Sequence, residues 1–188
     1  MNPHQTKFQE FEHKYLLAES EQVPYQKAIE NLNPLKSYTV KVTDWYFQTK
    51  TQPDHVYRYR RDKDYNQLTV KSLQKDSESR LEVNLDLSGQ KDYLHEVRAF
   101  LSPQTPSFEG KIEKEVFVYY FSDCECVCYS AQFEETKIYC LELEVIEPQK
   151  WEDPRKVLSQ YENKLGLDLS DRCPKSLFQL LIEPNISK

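Results

Sequence analysis

Residues 10–15 read Glu-Phe-Glu-His-Lys-Tyr. Successive side chains of a strand point to opposite faces, so Glu10, Glu12 and Lys14 share one face, and Phe11, His13 and Tyr15 the other. The same alternation recurs in four more stretches. At 57–60, Arg58 and Arg60 oppose Tyr57 and Tyr59; at 68–71, Thr69 and Lys71 oppose Leu68 and Val70. At 80–85, Arg80, Glu82 and Asn84 oppose Leu81, Val83 and Leu85; at 141–145, Glu142 and Glu144 oppose Leu141, Leu143 and Val145. One such strand is satisfied with its charges in water and its apolar face in a core. Five of them, sorted into carboxylate-bearing and Lys/Arg-bearing strands and accompanied by helices able to cover apolar faces, predict the opposite sidedness. Helices then pack outside, and the charges line the lumen of a closed or nearly closed barrel. Buried charge is costly unless it is paired or holds a ligand, and the occupant that suits such a lumen is a polyanion with divalent metals.

The remaining pattern fits an α+β chain dominated by antiparallel strands. Strands are expected over 7–17, 37–49, 55–62, 66–73, 79–87, 111–121, 124–133 and 137–147, with Gln52-Pro53-Asp54 as a turn and a hairpin around Gln74 to Glu78. Helical spacing marks 20–32, with Ile29 and Leu32 inward, and 90–101, stopped before Pro103. Asp153-Pro154 reads as an N-cap followed by proline at the first helical position. Val157, Leu158, Tyr161 and Leu165 then form one face, and Gly166 fits the residue just past the helix end. A last short helix is expected after Pro174, with Leu177, Leu180 and Leu181 inward. The expectation is a single domain over 1–188, with the informative strands in about 8–147 and C-terminal helices in about 153–182.

Composition narrows the function. The 188 residues carry 31 acidic and 25 basic side chains, a formal net charge of −6, whereas a free-standing nucleic-acid binder is usually strongly basic. Only three glycines are present, which excludes the glycine-rich dinucleotide and P-loop signatures. There is no apolar run long enough to span a membrane and no apolar leader at the N-terminus, so the expected location is cytoplasmic. Cys124, Cys126 and Cys128 alternate along one strand and lack the spacing usual for zinc, so they read as plain thiols. No nucleophile-elbow motif supports serine-hydrolase chemistry. His13 faces away from the expected lumen and reads as a packing or helix contact. His55 and His95 are isolated. The 13 tyrosines suit outer-face packing, although some can stack on a nucleobase at a tunnel mouth.

The residue types on the ionic faces suggest the chemistry. Glu10 and Glu12, with Glu142 and Glu144, are hard oxygen ligands suited to Mg²⁺ or Mn²⁺. Arg58 and Arg60 can clamp phosphate oxygens in fork geometry, and Lys14, Lys71 and Arg80 add positive charge.

Glu-Phe-Glu-His-Lys at 10–14 resembles the E-x-E-x-K signature of the CYTH superfamily, the triphosphate tunnel metalloenzymes. The order that follows resembles it further: Arg-Tyr-Arg at 58–60, Leu-Thr-Val-Lys at 68–71, Arg-Leu-Glu at 80–82, a helix, a basic strand start around Lys111–Lys114, and Leu-Glu-Leu-Glu at 141–144. The resemblance implies an eight-stranded antiparallel tunnel binding a triphosphate, with one or two divalent metals held with the help of Glu10, Glu12, Glu142 and Glu144. It implies phosphate contacts from Lys14, Arg58, Arg60, Lys71 and Arg80, with Lys111 and Lys114 at the basic strand start. Glu82 would support the metals or order the cations, and Lys14, Arg58 and Glu82 form the expected catalytic set. The chain departs from the family pattern in three places. Lys114 is followed two residues on by Val116 where an arginine is common. The next strand offers Cys126, Cys128 and Tyr129 where an acid is common, with Asp123 and Glu125 near the turn. Tyr139-Cys140 replaces the usual glycine before the last carboxylate pair.

Three functions follow from such a site. The first is metal-dependent hydrolysis of inorganic, nucleoside or thiamine triphosphate. The second is a class IV adenylyl cyclase, disfavoured because Lys7-Phe8 stands where those cyclases often carry His-Phe. The third is a non-catalytic polyphosphate- or nucleotide-binding module. In each case the partner is a small triphosphate rather than nucleic acid or a membrane, and the chain is expected to be a monomer or a homodimer.

Overall fold

The computed structural model describes residues 9–73, 79–87, 89 and 91–186, with side chains given from residue 11 onward and not for 79–81. The hairpin expected around Gln74 to Glu78 lies outside the described residues. Eight strands close into an antiparallel barrel in the order β1-β5-β4-β3-β2-β6-β7-β8. They are β1 (Gln9–Leu17), β2 (Lys36–Thr49), β3 (His55–Arg61), β4 (Asn66–Ser72), β5 (Ser79–Leu87), β6 (Pro106–Tyr120), β7 (Cys124–Phe133) and β8 (Thr136–Val145). β1 closes the barrel by pairing with β5 at its start (Glu10 opposite Arg80) and with β8 along the rest (Glu12 opposite Glu144, Lys14 opposite Glu142). β6 begins five residues earlier than expected, because Pro106–Gly110 extends the ladder along the far end of β2.

Sidedness follows the two-residue period. On the outside, Tyr57, Tyr59, Leu68 and Phe47 pack with Val97 and Leu101 of α2 (Leu94–Leu101). That helix starts later than the expected residue 90, where the Asp92 carboxylate accepts from the Leu94 N–H and Tyr59 Oη accepts from the Tyr93 N–H. On the opposite wall, Cys124, Cys126, Cys128, Leu141, Leu143 and Tyr15 pack under Ile29 of α1 (Gln22–Glu30) and under Val157, Leu158, Tyr161 and Leu165 of α3 (Pro154–Leu165). Asp153 caps α3 by accepting from the Arg155 N–H, and Gly166 ends it at φ 67°, a left-handed position where glycine carries little penalty. All five cysteines are free thiols, and all but Cys173 are buried. His13 is a helix contact: its Nδ1 lies 2.5 Å from Glu162 Oε1 on α3, and Tyr15 Oη donates to the same oxygen at 2.6 Å.

The last segment behaves differently from the other helices. Leu177 and the helical turn Phe178–Ile182, which continues as α4 (Glu183–Ile186), pack across one end of the barrel. There Leu177, Phe178, Leu181 and Ile182 meet inward-facing Tyr46, Val56, Ile112, Ala131 and Phe133. The barrel thus has one end filled with apolar side chains. No described helix is long and apolar enough to cross a membrane.

Leu158, fully buried beneath the thiol row, anchors α3 to the barrel. Leu158→Ala is expected to cost about 2–5 kcal/mol in urea unfolding, against about 1 kcal/mol for loss of the Asp153 cap in Asp153→Ala. Equal, sub-kilocalorie effects would contradict this packing.

Candidate functional site

Five cations from four strands line one chamber inside the barrel: Lys14 on β1, Arg58 and Arg60 on β3, Lys71 on β4 and Lys114 on β6. Each is held by an inward-facing carboxylate. Asp44, fully buried on β2, accepts from Arg60 Nε at 2.8 Å and Nη2 at 3.0 Å, and pairs with Lys114 Nζ at 2.6 Å. Glu142 pairs with Lys14 Nζ at 3.0 Å and accepts from Tyr129 Oη at 2.7 Å. Glu82 stands between Arg58, 3.4 Å away, and Lys71. Arg58 also donates to Thr69 Oγ1 at 3.1 Å, while its Nε is buried with no hydrogen-bond partner. A buried donor left unpaired costs about 1–3 kcal/mol, which an anion in the chamber would recover.

Among the described residues, this band sets five basic groups against the three carboxylates that pair with them, Asp44, Glu82 and Glu142, and Glu12 lines the same chamber. The charge states follow from the pairing. Burial pushes the Asp44 carboxyl up, but Arg60 and then Lys114 outweigh it and hold the group ionised, well below the usual range. Burial likewise opposes ionisation of Glu142, and Lys14 with the Tyr129 hydroxyl brings it down to about 2. Lys114 goes the other way. Burial, with repulsion from Arg60, lowers its pKa to about 7 despite the attraction of Asp44.

Toward the open end the wall becomes acidic. Glu12, Glu144 and Glu125 stand opposite one another across β1, β8 and β7, and all three line the wider cavity there. Burial, opposed by the Tyr120 hydroxyl and reinforced by Glu142, raises the Glu125 pKa. Among the described residues, no three His, Cys, Asp or Glu form a ready metal cage. Mg²⁺ does not need one, since it commonly takes one or two carboxylates and completes its shell with water and substrate phosphates. The donors here are hard oxygens only, so the chemistry of the wall fits Mg²⁺ or Mn²⁺.

The structure brings together Lys14, Arg58, Arg60, Lys71, Lys114, Glu12, Glu82, Glu142 and Glu144. The side chains of Glu10 and Arg80 lie outside the described ones, although their backbones pair directly. Lys111 is a correction. Odd-numbered residues in this part of β6 face outward, and Lys111 pairs with Glu113 at 2.9 Å on the exterior rather than with the chamber. Glu125, expected near the turn, has a settled place. It belongs to β7 and faces the lumen, whereas Asp123 stays in the turn and accepts from Tyr161 Oη at 2.7 Å. Two functional positions were not anticipated: Asp44, which orders two of the five cations, and Tyr129, which orders Glu142.

A family model described as "CYTH domain" matches residues 9–174. Among solved structures, the PH1012 protein from Pyrococcus horikoshii superposes with a TM-score of 0.71 at 18% identity, covering 92% of this chain and 99% of that one. HpAC1 from Hippeastrum, proposed to be an adenylyl cyclase and reported with a dominant triphosphatase activity, gives a TM-score of 0.61 at 14% identity, covering 90% and 92%. The mimivirus capping-enzyme triphosphatase gives 0.58 at 12% identity, covering 85% and 89%. At these identities the likeness is one of fold. A search of curated protein sequences finds no match.

The Lys114 environment yields a pH prediction. With a pKa of about 7, Lys114 is largely neutral at pH 8. A bound polyanion raises that value, so Lys114 takes up a proton on binding. Calorimetry of inorganic triphosphate binding at pH 8 in buffers of different ionisation enthalpy gives the net proton change, to which the ligand's own ionisation contributes alike in both proteins. The wild type should take up nearly one proton more than Lys114→Arg, which is charged throughout. Identical proton counts would contradict the assignment.

Proposed function

The chain belongs to the CYTH domain family, and on that premise we propose that it is a divalent-metal-dependent triphosphatase acting on a triphosphate held inside the barrel. The observation that carries this reading is the band of Lys14, Arg58, Arg60, Lys71 and Lys114, five basic groups that line one chamber and outnumber their three carboxylate partners. A triphosphate brings about four negative charges near neutral pH, more than that excess balances. The acidic wall of Glu12, Glu125 and Glu144 would repel it further. Divalent cations between the phosphates and these carboxylates resolve both conflicts, and an inserted cation screens like charges at short range far better than water does.

The proposed roles rest on where these side chains stand. Arg58, with its buried unpartnered Nε, and Lys14 grip the terminal phosphoryl group; Arg60, Lys71 and Lys114 bind the remaining phosphate oxygens. Glu82 and Asp44 are positioning residues that hold the forks and ammonium groups facing inward at no rotational cost during reaction. Glu142 and Glu144, with Glu12, would hold Mg²⁺ or Mn²⁺, which when bound supplies charge neutralisation on the transferred phosphoryl group. The filled end confines that group and limits water to what the open end admits. The free, buried thiols suit a reducing, cytoplasmic setting.

Purified protein with Mg²⁺ or Mn²⁺ should release orthophosphate from inorganic triphosphate or ATP. Cyclic AMP with pyrophosphate would instead make it a cyclase, and tight binding without turnover a binding module. Removing one preorganised donor to the developing charge typically costs about 10²–10³ in kcat, so Arg58→Ala should lose that much. Glu142→Gln should lose turnover and shift the metal requirement upward while still melting cooperatively. Unfolding of Glu142→Gln without any metal effect would make that carboxylate structural.

A further inference from the structure

Lys14 is gripped twice by a segment that belongs to none of the eight strands. In the chamber, Lys14 Nζ pairs with Glu142 at 3.0 Å and also donates to the Lys175 carbonyl at 3.3 Å. On the main chain, the Lys14 carbonyl accepts from the Cys173 N–H at 2.7 Å, and Tyr15 and Arg172 form an antiparallel bridge beside that bond. Both contacts come from Arg172–Lys175, which runs between α3 and the helical turn at the closed end. Among the described residues, β1 pairs with β5 only over Gln9–Phe11, while β8 takes its other edge from Glu12 to Leu17. The segment therefore lies along the edge of β1 that β8 leaves open, as a short extra strand beside Lys14.

It is anchored at both ends. Outside the barrel, Arg172 Nη1 lies 3.2 Å from His13 Nε2, and His13 Nδ1 lies 2.5 Å from Glu162 on α3. A guanidinium only donates, so His13 Nε2 accepts and Nδ1 is the nitrogen that donates to Glu162. Inside, Ser176 and Gln179 cap each other: Gln179 Oε1 accepts from the Ser176 N–H at 2.9 Å, and Ser176 Oγ accepts from the Gln179 N–H at 3.3 Å. That cap opens the turn whose Leu177 and Phe178 line the chamber with Lys14.

The kind of acceptor matters here. A lysine stem is flexible, and fixing its ammonium costs rotamer freedom unless the protein already holds it. Glu142 fixes Lys14 while cancelling its charge. The Lys175 carbonyl is neutral, so it aims the ammonium and leaves the charge to a phosphate. We propose that Arg172–Lys175 is a positioning strap for Lys14, and that Arg172, which lies outside the chamber lining, is its outer anchor. This rests on the reading above that Lys14 grips a phosphoryl group. Phosphate affinity then depends on a guanidinium on the outer wall, acting through one lysine.

Calorimetric dissociation constants for inorganic triphosphate with Mg²⁺ test the strap independently of turnover. Lys14→Ala should weaken binding about tenfold. Arg172→Ala should weaken it about fivefold on its own and leave it unchanged in the Lys14→Ala background, because residues acting through one another are not additive. Arg172→Lys, which keeps a donor and the charge, should recover most of the loss. Arg172→Gln repeats the comparison with a milder change, so unfolding of the alanine variant leaves the test intact. A merely structural arginine would lower stability in urea and weaken binding by the same factor in both backgrounds, and that result would overturn the strap. Arg172 variants that bind like the wild type would overturn it as well. Undiminished binding by Lys14→Ala would overturn both the strap and the phosphate role of Lys14. Orthophosphate release is scored separately. The expected coupling without release would sink the hydrolase reading and support the strap, whereas release with additive losses would do the reverse.

Discussion

Asp44 accepts from Arg60 through both oxygens and from Lys114 at 2.6 Å, and it is fully buried. A closed barrel lumen tolerates several cations only if each has an anionic partner fixed in place, because an unpaired buried charge costs several kcal/mol. Asp44 provides that for two cations, Glu82 for two more, and Glu142 for Lys14. Five basic groups share three carboxylate partners, and that shortfall is what a polyanion can complete. Stability and function therefore pull on the same side chains. A lumen with a perfect internal balance would be more stable and would have less reason to bind phosphate.

The exterior makes this lumen possible. Tyr57, Tyr59 and Leu68 against α2, and the thiol row with Leu141 and Leu143 against α1 and α3, bury the apolar faces that the alternation turns outward. The buried core therefore sits mainly around the barrel, leaving the interior free to be ionic. The exception is the end closed by Leu177, Phe178, Leu181 and Ile182, where apolar packing moves inside. That closure gives the tunnel a direction. His13 and Tyr15, both on Glu162, also tie the strand that carries Glu12 and Lys14 to α3, so the outer packing helps fix the inner site.

The sequence disclosed what a two-residue period can disclose. Glu12, Lys14, Arg58, Arg60, Lys71, Glu82, Glu142 and Glu144 lie on alternating strands whose opposite faces are clearly apolar, and their sidedness was legible from that contrast. Asp44 was not, since Thr43-Asp44-Trp45-Tyr46-Phe47 is a single acid in an aromatic run and its partner Lys114 is seventy positions away. Lys111 and Lys114 differ by an odd number of residues, so only one can face inward. Neighbouring Glu113 and Glu115 make both faces of that stretch look charged, and only the pairing of Lys114 with Val42 settles the choice. Glu125 follows a polar break, and strand onset there depends on ladder pairing with Glu144 rather than on local residues. The closing role of Phe178 and Leu181 is a matter of tertiary placement, since an amphipathic segment looks the same whether it covers a wall or stops an end.

The most direct test of this account is a crystal structure with a non-hydrolysable triphosphate analogue and Mg²⁺. The account predicts phosphate oxygens among Lys14, Arg58, Arg60, Lys71 and Lys114, with the Lys14–Glu142 and Lys71–Glu82 pairs drawn apart. An analogue lodged on the exterior, with every internal ion pair intact, would contradict it.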